Sequence, residues 1–487
     1  MVFHFREKTS SMAAMLCASI KSSGRTVNEG GYGEVLRVSI PLILSTASLT
    51  LMLFVSRMLL SWHSPAAVAA STPGGITFFT ICSFFLGTAE YVNTLVAQHH
   101  GAGDKPACAR AVWQGVFFSL LCAPLIIACI PLGNLLLTWA GHEPEILNQE
   151  KEYFFLLMLG GAALPVNAAL SSFFSGRAKT MIVLWGNLIG NVANAVLCYI
   201  LIFGKLGFPA MGIQGAGIAA AVTGVLPGLY WGWLFLSDRY QPSYRTRREF
   251  RWDSRLFRML LRYGVPSGTQ FFLDVASFTF FVLLVGRLGE LDLAATNIVF
   301  SIELLSFLPM VGMSVATATL VGEYIGRGKQ DLAQKCVHSA LMLVAIYSLF
   351  FSVLYVFFPG VFLELFSSDA NPGEFQDILA KGVILLRIVA IYTLFNNMFI
   401  IFCGALNGAG DTHFAMWTQT ALSWFGFVPA VYIVIDHFHL GLLPAWTCLL
   451  VYVIVLGIAF CWRFQSGHWK TIRMVAVSHP GGVLDKA

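Results

Sequence analysis

Three carboxylates, Glu90, Asp274 and Glu303, fall inside long apolar runs of this chain. A buried acid is the residue type that can take up a cation in one state and release it in another. Asp274 is the clearest case, in Gln270-Phe271-Phe272-Leu273-Asp274-Val275-Ala276-Ser277-Phe278. Hydrocarbon around a carboxylate favours the protonated form and so suits proton exchange, whereas a cage of oxygen ligands would favour Na+. A structural carboxylate hydrogen-bonded across helices is the competing use of the same residue. Other chemistries find little support. None of the ten cysteines forms a C-x-x-C pair, so neither a zinc site nor a disulfide framework is expected. His338 has no His or acid partner at metal spacing, and no G-x-x-x-x-G-K-[ST] loop occurs to bind ATP.

The elements that must position these acids are membrane spans. Of the 487 residues, 57% are hydrophobic and 11% charged, with a mean hydropathy of +0.73. Soluble domains carry about 25% charged residues, so the chain reads as a polytopic membrane protein. A span needs about 20 mostly apolar residues, and twelve runs qualify: 36–61, 70–97, 112–139, 153–174, 181–204, 213–236, 258–287, 294–322, 337–364, 379–405, 414–435 and 441–463. They are continuously apolar rather than alternating, which selects helices over a β-barrel. The Met12–Ile20 stretch is too short to span, so residues 1–31, with Arg6, Lys8, Lys21 and Arg25, read as a cytoplasmic tail.

Charge sets the orientation. With the N-terminus inside, about 24 of the 30 basic residues fall on the cytoplasmic side. They include Lys105, Arg110, Arg177, Lys179, Arg327, Lys329, Lys335 and a cluster from Arg239 to Arg262. The opposite loops are acidic, with Glu143, Glu145, Glu150, Glu152, Asp369, Glu374 and Asp377. Both termini are then cytoplasmic. The longest polar stretch, Ser237 to Asp253, divides the chain into six spans on either side, and the halves echo one another. Pro41 recurs as Pro266, and Leu95 to Gly103 recurs at the same 225-residue offset as Leu320 to Gly328. Phe174 to Thr180 is echoed by Leu406 to Thr412. An even number of spans per half makes these parallel repeats, a known transporter plan. The expected division is an N-lobe at 32–237, a basic linker at 238–256, a C-lobe at 257–464 and a C-terminal cytoplasmic tail at 465–487. Gly-x-Gly beyond a span's end reads as helix termination through positive φ, and Asp411-Thr412 as the start of the next helix.

Val96-Ala97-Gln98-His99-His100-Gly101-Ala102-Gly103-Asp104 after span two and Val321-Gly322-Glu323-Tyr324-Ile325-Gly326-Arg327-Gly328-Lys329 after span eight carry a resemblance. So do Asn194 to Ala216 and Gly404 to Thr412. In this order and spacing, from about residue 32 to 464, they resemble the multidrug and toxic compound extrusion (MATE) family of cation-coupled efflux transporters. The resemblance implies an all-α fold of twelve transmembrane helices in two pseudo-symmetric six-helix lobes. It puts Asp274 at a coupling position in the first helix of the second lobe, with possible Na+ binding there, and Tyr392 and Asn396 of span ten nearby. Several relatives carry an Asp where Asn396 stands. In the first lobe the family's cation-site positions fall on Ser56, Asn194 and Cys198, and a span-six Thr on Ala220, so an oxygen-rich site looks dismantled there. Glu90 could replace the lost charge or pair with Arg57; Glu303 could line the cleft or brace helices; Arg387 could snorkel or pair with an acid.

The implied function is a secondary antiporter exporting amphipathic, cationic organic compounds in exchange for Na+ or H+. It would need no cofactor beyond the coupling ion and no nucleic acid. A monomer among membrane lipids, in a bacterial inner (plasma) membrane, is the expected setting. Phe78-Phe79, Phe84-Phe85, Phe271-Phe272 and Phe280-Phe281 could offer flat cations an aromatic surface, although such residues more often pack helices or face lipid. Competing readings are a flippase or exporter of lipid-linked amphiphiles on the same fold, a membrane enzyme, and a relative that has lost coupling. Span interiors nearly free of basic residues speak against the first of these, and the absence of paired acids or His-rich motifs at interface loops against the second.

Overall fold

A computed structural model describes residues 29–139, 143–366 and 372–475, and every regular element among them is helical. A bilayer offers no partner to an open backbone N–H or C=O, so helices that satisfy their own are what such runs form. Twelve spans result: α1 Tyr32–His63, α2 Ala66–Gly101, α3 Lys105–Ala128, α4 as the pair Pro144–Gly161 and Leu164–Ser175, α5 Thr180–Phe203, α6 Gly212–Phe235, α7 Ser254–Gly286, α8 Glu290–Gly326, α9 Gln330–Phe357, α10 Gln376–Ala409, α11 Thr412–His437 and α12 Leu442–Gln465. Each expected run holds one of them, but runs 112–139 and 337–364 end in separate short helices, Ile130–Trp139 and Pro359–Glu364, beyond the spans. Three are interrupted: α2 has a turn at Tyr91, α4 bends by 40° between its halves, and α11 contains π-helical turns at Ala421–Phe427 and Ile433–His437. Such breaks collect at working parts of helices. The Met12–Ile20 stretch, the tail residues Arg6, Lys8, Lys21 and Arg25, and Asp369 lie outside the described residues.

Asp104 and Asp253 cap α3 and α7, accepting from the backbone N–H of Ala107 and of Arg255 and Leu256. Asp411 precedes α11 as expected, but its carboxylate accepts instead from Arg463 of α12, at 2.7 and 3.2 Å. Trp185, Trp233, Trp417 and Trp462 are exposed near the ends of α5, α6, α11 and α12 that carry the basic loops. This is the aromatic girdle of a membrane–water boundary, and we call that side the basic end.

α1 to α6 and α7 to α12 form two lobes. Within the first, α1 packs on α5, α5 on α6, and α4 on both α2 and α6; within the second, α8 packs on α10, α9 and α12 on α10, and α7 on α11. The lobes meet through α2 with α7 and α1 with α8, and these contacts repeat at the 225-residue offset. A methyl at Gly87 would lie 3.0 Å from the Gly268 Cα, and one at Gly312 would lie 2.7 Å from the Ile43 nitrogen. Nearer the basic end, a methyl at Gly101 would lie 2.0 Å from the Glu323 carbonyl oxygen and one at Gly326 2.1 Å from that of Gln98. Small residues allow this approach. The second glycines, Gly103 and Gly328, adopt φ of +81° and +71° as the motif predicts.

Around this seam, Gln98 donates to the Gly408 carbonyl, Asn93 to Thr319, and Tyr324 to Glu34. Glu29 pairs with Lys329 at 2.9 Å, and that hydrogen bond and charge hold its carboxyl below the usual range. This bridge therefore stands at neutral pH and is lost only as pH falls through the lowered value. Met474, beyond α12, is buried against Tyr91, Gln98 and Gly410. Among the described residues, the lobe-to-lobe bonds farthest from the basic end are Thr46 to the Leu308 carbonyl and the Phe79–Phe271 ring contact. The lobes are thus sealed over the basic half and unlinked by such contacts over the other.

Candidate functional site

Asp274 points into the second lobe. It lies on the α7 stripe of Gln270, Ser277 and Phe281, which is buried against that lobe, and its side chain is half-buried. Gln419 of α11 is its hydrogen-bonding neighbour, with Cys403 of α10 and Tyr452 of α12 in electrostatic reach. The orientation of Gln419 is fixed from behind. Gln270 donates to Gln419 Oε1 at 2.6 Å and to Cys403 Sγ at 3.2 Å, which leaves the Gln419 NH2 for the carboxylate. Among the described residues Gln270 Oε1 is buried without a hydrogen-bond partner, and the Tyr452 hydroxyl lies beside the side chains of Gln419 and Ser423. One carboxylate, one unpaired amide oxygen and one phenol thus share a corner of the lobe. That donor set can hold a proton or a monovalent cation, and no group of three or more His, Cys, Asp or Glu suited to a metal occurs among the described residues. The neighbouring π-helical turn brings Trp424 Nε1 to the Leu273 carbonyl at 3.2 Å.

Glu303 forms a second centre in the same lobe. It is half-buried on α8, with Tyr392 of α10 as hydrogen-bonding neighbour and Tyr355 of α9 beside it. Tyr355 donates to the Ile302 carbonyl at 3.2 Å. The Phe278 and Phe300 rings meet at 4.6 Å, tilted by 55°, one turn outward of Asp274 and Glu303, which sets the two acids at similar depth. The expected pairing of Tyr392 with Asp274 therefore gives way to one with Glu303, because Tyr392 lies on the α10 face turned to α8 and α9. Asn396 is half-buried with no described hydrogen bond; its neighbour Asn397 donates to Ser348.

The first-lobe positions do converge, as a neutral cluster. Ser56 donates to Asn194 at 3.1 Å, Cys198 lies 3.5 Å from the same oxygen, and Asn194 donates to Thr223 at 3.0 Å. The α6 hydroxyl is thus supplied by Thr223, one turn on from the expected Ala220. Two further rungs, Asn187 to Ser45 and Asn191 to Ser48, complete a polar ladder between α1 and α5. Ser45 and Gln270 are related by the 225-residue offset, and Asn187 and Gln419 by the 232-residue offset linking Thr180 to Thr412. Both lobes therefore carry the same cross-helix polar pair, but only the second sets an acid beside it; the position equivalent to Asp274 is Leu49. Thr223→Val removes two buried hydrogen bonds, the one accepted from Asn194 and the one donated to the Ala219 carbonyl, and leaves the Asn194 NH2 unpaired, a loss of about 1–3 kcal/mol. Thermal unfolding in detergent should show a Tm lower by a few degrees, with gradient-driven transport within about twofold of wild type.

Glu90 stands apart from both clusters. It is exposed at the turn that interrupts α2, on the helix face of Asn93 and Ala97, which meet Thr319 and Gly322 of α8. It therefore lies just outward of the Asn93–Thr319 bond, on the α2 face turned to α8. Pairing with Arg57 does not occur. Arg57 is near the far end of α1, about 27 Å away in depth at 1.5 Å per residue. Arg387 is exposed and makes no ion pair among the described residues, as snorkelling requires. His99 is buried, with neither ring nitrogen hydrogen-bonded among the described residues. Most paired phenylalanines pack helices: Phe78 fills the space over Gly161, Phe84 contacts Phe85, and Phe280 lies against Trp424. Phe79 and Phe271 instead meet across the lobes, 5.9 Å apart. Gln270, Gln419, Tyr452 and Thr223 escaped the sequence reading. The two offsets, which map the Ser45–Asn187 rung onto Gln270–Gln419, were the available signal.

The chain's relatives fit this architecture. The MatE family profile matches residues 41–200 and 266–432, one segment in each lobe. A probable multidrug resistance protein NorM of Thermotoga maritima is 26% identical over 415 residues, covering 84% of this chain and 86% of that protein. The protein of the same description from Pseudomonas putida is 28% identical over 447 residues, covering 91% and 95%. Among solved structures, a multidrug resistance MATE family transporter in an outward-facing conformation superimposes with a TM-score of 0.81 at 20% identity, covering 92% of this chain and all of that one.

Proposed function

Because the chain belongs to the MatE family of multidrug efflux transporters and is an integral multi-pass membrane protein, we propose that it is an antiporter whose second lobe carries the coupling cation. It exports amphipathic organic cations in exchange for H+ or Na+, and its bacterial relatives point to an inner (plasma) membrane. The observation that carries this reading is the pair of half-buried acids in the second lobe, whose equivalent positions in the first are Leu49 and Phe78 beside neutral polar rungs. The basic end is taken as cytoplasmic, from the distribution of Arg and Lys. The sealed basic half is then the inner gate, and the chain stands outward-open. Cation uptake at Asp274, with Gln270, Gln419 and Tyr452, removes the negative charge that Gln419 is set to stabilise. Charge at Glu303, held by Tyr392, is the second element of the same lobe. Neutralising one lobe's acids changes the packing of α7 and α8, the helices that form the seam, and so biases rocking of the lobes. Substrate cations meet Phe79, Phe271 and the exposed carboxylate of Glu90 between the lobes, through aromatic and charge attraction. Asp274, Tyr392, Asn396, Glu303 and Glu90 are the positions to probe.

In an efflux-deficient bacterial host, wild-type protein should lower ethidium accumulation several-fold, and collapsing the ion gradients should abolish the difference. Equal accumulation with and without the protein, at verified membrane expression, would sink the drug-efflux reading.

A further inference from the structure

The linker between the lobes does more than connect them. Trp113 and Gln114 of α3 donate to the carbonyls of Thr246 and Arg251 at 2.8 and 2.9 Å, and Gln114 Oε1 accepts from Asp253 N–H at 3.1 Å. Arg177 sits 3.6, 4.8 and 4.6 Å from the ring centroids of Phe173, Tyr240 and Tyr244. Tyr244, Thr246 and Glu249 are thereby turned inward, and the linker is held as a fixed shelf on the first lobe. What it turns outward is cationic. Arg239, Arg245, Arg248, Arg255, Arg258 and Arg262 are exposed and form no ion pair among the described residues. The last three share one face of the first turns of α7, opposite the buried Leu256 and Leu260. The local acids are already engaged: Asp238 with Arg247, Glu249 with Arg110 and Arg251, and Asp253 with Arg110 while also capping α7.

Beside these arginines are two exposed aromatics. Phe250, 59% exposed, lies 4.6 Å from Trp113 and 5.4 Å from Phe117; Trp252, 50% exposed, lies 5.8 Å from Phe117. Both rest on the flank of α3, near the level that exposed Trp233 marks as the membrane boundary. A soluble acidic partner would explain the arginines and leave the aromatics unaccounted for. A lipid explains both, since guanidinium groups bind phosphate in a fork and amphipathic rings sit at headgroup depth. We propose that the Arg239–Arg262 shelf is a binding surface for anionic phospholipids, with headgroup phosphates on the arginines and upper acyl chains across Phe250 and Trp252. This surface is separate from the acids of the second lobe and does not depend on the efflux reading. Clusters of this size next to a span hold anionic lipid in a salt-dependent way.

The test reconstitutes the full chain in nanodiscs and measures its association with spin-labelled phosphatidylglycerol and spin-labelled phosphatidylcholine. Wild type in about 0.1 M salt should prefer the anionic lipid by about fivefold, and raising the salt to about 0.5 M, which shortens the screening length roughly twofold, should erase most of that preference. The variant Arg255→Gln/Arg258→Gln/Arg262→Gln should lose most of the preference while binding phosphatidylcholine as before. An independent variant on the linker, Arg239→Gln/Arg248→Gln, should lose part of it. Trp252 fluorescence, taken as the difference from Trp252→Phe, should be quenched more by brominated phosphatidylglycerol than by brominated phosphatidylcholine. Equal association of the two lipids with wild type, or a preference unchanged in both arginine variants, overturns the proposal.

Discussion

Placing valine at both Gly101 and Gly326 is expected to open the basic end and reduce transport by about thirtyfold. The reason is geometric. A single methyl at either position would stand 2.0 or 2.1 Å from a backbone carbonyl oxygen of the opposite lobe, and backbone cannot rotate aside as a side chain can. Overpacking of this kind costs about 1–3 kcal/mol per site, and about 2 kcal/mol shifts a two-state equilibrium roughly thirtyfold. Because the two glycines face each other's helices across the pseudo-symmetry axis, both substitutions push the same seam apart. The bonds that depend on that seam, Asn93 with Thr319, Gln98 with Gly408 and Tyr324 with Glu34, should fail together. Spin labels at Lys179 in the first lobe and Gln465 in the second should report a longer interlobe distance in the double variant. An unchanged distance with normal transport would mean that this contact does not hold the seal.

Asp274→Asn is expected to lower gradient-driven efflux by about one to two orders of magnitude, the usual scale of coupling between two sites. The substitution keeps the shape of the side chain and its hydrogen bond with Gln419, so folding should be preserved while the exchangeable charge is lost. Substrate-for-substrate exchange, which needs no net cation movement, should stay within about threefold of wild type. Glu303→Gln should fall between the two, because Tyr392 can still bond the amide. Comparing gradient-driven efflux with exchange in the same vesicles separates a coupling defect from a folding defect, which would depress both.

Much of this architecture was open to inspection of the chain. Apolar length alone located all twelve helices, because a bilayer permits few other solutions, and the offset of 225 residues between Pro41 and Pro266 exposed the repeat. Residue contacts across helices were harder to read. Tyr392 and Asn396 share a helical face by spacing, yet Tyr392 meets Glu303, since which neighbour a face turns to depends on how α10 packs between α8 and α9. The α6 hydroxyl of the first-lobe cluster proved to be Thr223 rather than Ala220, one turn away, because helix register across a lobe cannot be fixed without the packing. Gly101 and Gly326 looked like helix terminators. Their neighbours Gly103 and Gly328 take that role, and the first glycines exist for close approach between lobes, a property with no local signature.

The central claim is that the coupling cation is taken up by the second lobe. Reconstituted vesicles loaded with a pH indicator, or supplied with radioactive Na+, would show whether adding substrate moves the ion. Wild type should move H+ or Na+ in a fixed ratio to substrate, the Ser56→Ala variant should match it, and Asp274→Asn should exchange substrate with no linked ion movement. An undiminished ion-to-substrate ratio in Asp274→Asn, or its loss in Ser56→Ala alone, would contradict the account.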